Sequence, residues 1–210
     1  MASKSKRNKV KFKWTKELGF LLGSLLIIGI VAIILAIPTR SERKLEKIND
    51  SITEYNTANS TSYTTLPKNH VFKEISHSQL VNKKKSSNYT IVWYGSLSNG
   101  TYLEYLYTLN QLADTYDVKT IYLYYATFVE DATKDEETDT EAYKTQLKAK
   151  EDALNNNKAA DAEEIDLENY PAIFVFKDGQ LLFNSQVGNN SEEYNWDIYF
   201  NNAFGLTKQE

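Results

Sequence analysis

The sequence predicts an α/β domain, a mixed sheet flanked by helices, preceded by a single N-terminal transmembrane helix. Three observations predict it. Residues 18–37 read LGFLLGSLLIIGIVAIILAI, without one charged side chain. Two unbroken apolar runs, YTIVWYG and KTIYLYYATF, have the character of strands buried on both faces, and leucines at helical spacing lie between them. Lys177-Asp178-Gly179 separates two further apolar runs, and Asp-Gly in that setting signals a tight β-hairpin. A strand, helix, strand unit favours a parallel pair and a hairpin adds antiparallel strands, so the sheet is mixed.

The elements follow in chain order. A helix rises about 1.5 Å per residue, so the run at 18–37 matches a hydrocarbon core of roughly 30 Å. Pro38 ends it. Before the run stand Lys4, Lys6, Arg7, Lys9, Lys11, Lys13 and Lys16; after it, Arg40, Arg43, Lys44 and Lys47 alternate with Glu42 and Glu46. Lysine and arginine collect on the cytoplasmic side, so residues 1–17 form a cytoplasmic basic tail and the rest is extracytoplasmic. An uncleaved anchor in the plasma membrane is expected over a cleaved signal peptide. The apolar run exceeds a usual h-region, and a cut after Ala36 would put Ile34 where a small residue is wanted. Gly19 and Gly23 have the spacing of a helix-packing pair, a weak signal.

Residues 38–70 read as a stalk and linker. Leu45, Ile48 and Ile52 share one helical face, and NTANSTSYTT follows without large aliphatics. The folded domain is expected over 71–206. Phe72 and Ile75 begin a short strand, Leu80 a short helix, and Lys83 to Lys85 a basic turn. After the first buried strand, TYLEYLYTLNQLADTY places Leu103, Leu106, Leu109 and Leu112 on one helical face. The second buried strand, the hairpin and a closing helix carrying Trp196, Phe200 and Phe204 complete the order.

Between 130 and 168 stand fourteen acidic residues against five lysines, a local charge of −9 in a chain of −4 overall. This stretch reads as an acidic helical insertion with a solvated, charged surface. It lacks the ligand spacing of a calcium loop. With no cysteine there are no disulfides, thiol chemistry or zinc–thiolate site. His70 and His77 are the only histidines, no Gly-x-Ser-x-Gly elbow occurs, and no glycine-rich phosphate loop is present. The domain is not basic enough for a nucleic-acid partner. No cofactor is expected. The absence of cysteine beside abundant Asn, Lys and Tyr fits the usage of a low-GC Gram-positive bacterium.

Three local patterns together resemble the thioredoxin-like family. Trp93-Tyr94-Gly95-Ser96-Leu97 stands where that family ends a buried strand in an aromatic pair and a small residue. Tyr170-Pro171-Ala172-Ile173-Phe174 resembles the stretch carrying its cis-proline, and Lys177-Asp178-Gly179 with Gly188 resembles its hairpin and later glycine. The resemblance covers about two thirds of the chain, and the long segment after Phe128 is similar to that of membrane-linked bacteriocin-transport accessory proteins. It implies that the two redox positions fall on Ser98 and Thr101. Thiol–disulfide exchange needs a thiolate nucleophile and a resolving thiol. Two hydroxyls supply neither, so redox catalysis by this chain is excluded.

The resemblance also implies a groove that takes an extended peptide through backbone pairing, lined here by Leu97, Asn99, Gly100, Tyr170 and Pro171. The expected function is a redox-inactive, membrane-tethered binding or accessory module for another exported or membrane protein. Two alternatives stand beside it, an accessory part of a thiol-exchange or transport system and a structural surface spacer.

Overall fold

The computed structural model describes residues 39–185 and 195–208. The chain divides into two compact units, Met1–Lys44 and Leu45–Glu210. The basic tail at 1–17 and the span at 18–37 lie outside the described residues. Among the described residues, no helix is long and apolar enough to cross a membrane.

The elements are α1 (Arg40–Asn59), β1 (Phe72–Glu74), α2 (His77–Lys83), β2 (Thr90–Gly95), α3 (Gly100–Thr115) and β3 (Ile121–Tyr125). Then come α4 (Thr127–Lys134), α5 (Glu141–Asn155), β4 (Ala172–Lys177), β5 (Gln180–Asn184) and α6 (Trp196–Gly205). The five strands lie in the order β1-β3-β2-β4-β5. β3 runs parallel to both β1 and β2, while β4 runs antiparallel to β2 and β5. The sheet is therefore mixed, with its parallel half built by β-α-β connection and its antiparallel half by the hairpin. Asp178 and Gly179, at φ 51° and 82°, form the two-residue turn that matches strand twist.

Alternation along the central strands divides the core. Ile91 and Trp93 of β2 face one layer with Ile121, Leu123, Ile173 and Val175, where Leu103, Leu106, Phe200 and Phe204 of α3 and α6 pack. Val92 and Tyr94 face the other with Tyr124, Phe174 and Phe176, covered by Leu80, Val129, Leu147 and Leu154 of α2, α4 and α5. Both faces of β2 are covered, which is why its six residues are all buried and its sequence reads as an unbroken apolar run.

Residues assigned to a stalk are part of the folded unit from Leu45 onward. Ile48 and Ile52 of α1 and Leu66 beyond it are buried in the first core layer. The polar stretch between them is held by amides rather than by burial. Asn49 donates from Nδ2 to the Leu66 carbonyl at 3.1 Å and accepts from its N–H at 2.8 Å. Asn56 does the same to Tyr63, at 2.9 and 2.8 Å. Seven helical residues rise about 10.5 Å and three extended ones span about 10 Å, so the two clamps stay in step along an antiparallel segment. Asparagine density reads as linker composition in a sequence, but here it replaces a strand's missing partner.

The acidic stretch is likewise not an appendage. Tyr143, Leu147, Leu154, Ala162, Ile165 and Leu167 are buried and form much of the second layer, with most of the acids exposed and half-buried Glu151 accepting the Leu167 N–H at 2.9 Å. Asn155 clamps Ile165 as the other two clamp their partners, at 2.9 and 2.7 Å. Lys84, expected in a basic turn, is buried. Its ammonium donates to the carbonyls of Ala153, Leu154 and Asn156 at 2.5, 3.1 and 3.2 Å, capping the C-terminus of α5. Burial, then the charge of Lys85, lowers its pKa. The strand expected over 119–128 runs only over Ile121–Tyr125, and α4 begins at Thr127. Gly188 and the first residues of the closing helix expected over 191–204 fall outside the described residues, and α6 begins at Trp196.

Candidate functional site

The C-terminal end of β2 and the antiparallel entry to β4 meet at one end of the sheet, since Tyr94 is paired with Ala172. The loop after β2 and the Tyr170-Pro171 dipeptide thus arise side by side. The Tyr170–Pro171 bond is cis.

Asn99 builds the loop. It is the N-cap of α3, its Oδ1 accepting the Tyr102 N–H at 2.9 Å, and its own N–H closes a turn on the Ser96 carbonyl at 3.1 Å. Asn99 therefore acts as a scaffold residue, with its side-chain oxygen already engaged. Gly95 is set by close approach. A Cβ there would lie 2.3 Å from the Tyr102 ring, which stacks on Trp93 at 5.4 Å. Gly100 meets α1 in the same way, since a Cβ would lie 2.2 Å from the Tyr55 hydroxyl. The N-terminal helix thus reaches the first turn of α3.

The chemistry of the loop is a hydroxyl pair closed by a carboxylate. Ser98 Oγ donates to Glu130 Oε1 at 2.8 Å, and buried Ser96 Oγ donates to the same oxygen. The two hydroxyl oxygens are 2.7 Å apart, and the Ser98 N–H donates to Ser96 Oγ at 3.0 Å. Glu130 comes from the first helical turn after β3. Nearby Tyr170 has its pKa raised, first by burial and then by the Glu130 charge. Its ring meets that of Tyr94 edge-on at 6.0 Å. The backbone N–H and C=O of Tyr170 make no hydrogen bond to any described residue.

The residues singled out in the sequence divide as follows. Ser98 is exposed and bonded to Glu130; Leu97, Asn99, Gly100 and Thr101 lie in or beside the same loop; Tyr170 and Pro171 stand across from it at the head of β4. Glu130 was missed, because it reads as the first of many acids. Only tertiary packing selects it: Val129 and Ala132 turn inward and leave Glu130 at the rim. Tyr55 was missed because its helix reads as a stalk.

Neither histidine joins this cluster. The His77 Nδ1 is 3.0 Å from the Tyr124 hydroxyl, and the His70 Nδ1 accepts the Phe72 N–H at 3.1 Å. A serine nucleophile needs such a base within reach. A lone carboxylate already taking two hydroxyl bonds orients the loop instead. Among the described residues, no group of three or more His, Cys, Asp or Glu is placed to hold a metal. The loop offers hydroxyls and a carboxylate as hydrogen-bonding partners, beside the Tyr170 backbone groups, which bond to no described residue.

No family model and no curated protein matches the sequence. The architecture, a mixed α/β sheet flanked by helices, is compatible with a thioredoxin-like fold. The chain has no cysteine and hence no redox-cysteine pair.

Proposed function

We propose that this chain is a redox-inactive, thioredoxin-like binding module, tethered outside the plasma membrane by residues 18–37, that receives an extended segment of another exported or membrane protein. The observation that carries the reading is the backbone of Tyr170, whose N–H and C=O have no partner among the described residues although β4 begins two residues later. A strand-like segment laid there would pair with both groups, an interaction that needs no sulfur. The strand order and the position of the Ser96–Ser98–Glu130 cluster at the end of β2 support the thioredoxin-like part of the reading. Glu130 gives the site a preference for partners that bring a hydrogen-bond donor or a positive charge.

Site-specific photo-crosslinking in the intact membrane tests this. A photoreactive amino acid at Tyr170 or Ser98 should capture a discrete exported or membrane protein, while the same group at exposed Asp139 should not. Capture equal at all three positions, or none at Tyr170 and Ser98, would overturn the binding site. A second measurement addresses the fold. The variant with Ser98→Cys and Thr101→Cys should gain insulin-reducing activity if the loop has the geometry of a redox site, and an oxidised pair that never forms would count against the resemblance.

A further inference from the structure

Beside Tyr170 stands a carboxylate with unused capacity. Half-buried Glu130 takes the bonds from Ser96 and Ser98 both on Oε1, and its Oε2 has no hydrogen-bond partner among the described residues. Glu130 forms no ion pair with a described residue either. The one lysine of α4, Lys134, lies 3.7 Å from Asp131 instead. The Tyr170 hydroxyl feels the same imbalance: after burial, the Glu130 charge raises its pKa, and no cation acts in the other direction. A half-buried carboxylate without a counter-ion is screened less than one in open water, so a cation brought by a ligand gains more there.

Strand geometry decides which residue of a partner would supply that cation. Tyr170 packs against the second core layer, its ring edge-on to Tyr94. The helix that carries Glu130 covers the same layer through Val129 and Ala132. In a β ladder, residues directly opposite each other project to one face, and their chain neighbours project to the other. A residue opposite Tyr170 therefore turns its side chain to the face on which Glu130 lies, and the residues before and after it turn away. We infer that the segment received at Tyr170 carries a lysine or arginine directly opposite that residue, selected by Glu130. The inference rests on the peptide-site reading and adds to it the partner's chemistry and register.

Fluorescence anisotropy with the full-length chain in zwitterionic detergent micelles tests it. The probes are two labelled heptapeptides, Thr-Val-Thr-Lys-Thr-Val-Thr and its counterpart with norleucine for lysine, which keeps the stem and removes the charge. The lysine peptide should bind about fivefold tighter at low salt, and the preference should shrink as salt is raised. Glu130→Gln keeps an oxygen for the two serine hydroxyls, so it should bind both peptides alike with an unchanged thermal midpoint. A benzophenone amino acid at Tyr170 should crosslink the lysine peptide at the lysine or two residues from it, as mapped by mass spectrometry. Crosslinks confined to the residues adjacent to the lysine would overturn the register. Equal binding of the two peptides, or a preference that Glu130→Gln retains, would overturn the charge selection while the peptide site stands. Binding of neither peptide would overturn the inference, and absence of capture at Tyr170 and Ser98 in the membrane would overturn the site as well.

Discussion

At the scale of single residues, two positions make the packing argument quantitative. Gly95 lies under Tyr102, so Gly95→Ala pushes a methyl group to 2.3 Å from the ring in a fully buried layer. Overpacking of this kind costs about 1–3 kcal/mol, and urea unfolding of the variant should show a loss in that range. Shortening Tyr102 to leucine in the same chain should recover part of it. His77 makes the pH argument. Burial, then Lys150 and Lys84, lowers its pKa from 6.5 to about 4. Between those values the unfolded chain binds the proton and the folded chain does not. Stability is therefore lost as pH falls from about 6.5 toward 4. In thermal melts across that window, His77→Gln should flatten the dependence, with Tyr124 losing its partner as a constant offset.

At the scale of elements, polar side chains do what strand pairing does elsewhere. Asn49→Ala removes both amide bonds to Leu66 and leaves the backbone N–H and C=O of Leu66 without them. The expected cost is about 1–2 kcal/mol, with faster amide exchange in residues 61–66 than in the sheet as the specific readout. Unchanged exchange there would show that Leu66 burial and the Asn56 clamp hold the segment without Asn49. Lys84→Met keeps the apolar stem but removes the donor to three terminal carbonyls of α5. A loss of about 2 kcal/mol is expected from stranded carbonyls and the uncapped helix end, measured by chemical denaturation. Partial compensation comes from no longer burying an ammonium group.

At the scale of the whole molecule, the domain begins well before the first strand. Ile48 and Ile52 are 2 % and 0 % exposed, and their layer also contains Trp93 and Tyr102 of the candidate site. A chain beginning at residue 71 should lose cooperative unfolding, whereas one beginning at residue 45 should keep it; calorimetry distinguishes them. The same packing brings Tyr55 against Gly100, so the helix that precedes the domain forms one edge of the proposed peptide site.

The fold was largely legible in the sequence because its signals are local. Apolar runs bounded by turns gave β2, β3 and the hairpin, and leucine spacing gave α3. The hydroxyls at Ser98 and Thr101 and the absence of cysteine set the limit on redox chemistry directly. What the sequence could not reveal is composition used against its usual meaning. Asn49, Asn56 and Asn155 look like linker residues but hold extended backbone, and Lys84 looks solvated but caps a buried helix end.

The division has a physical cause. Periodicity and turn chemistry depend on neighbours along the chain, so the sequence by itself determined the mixed α/β order and the loss of thiol chemistry. Which of fourteen acids between 130 and 168 serves the candidate site depends on packing across the chain. Only the tertiary structure decided that it is Glu130, because Ser96 and Ser98 share an oxygen with it over a separation of more than thirty residues.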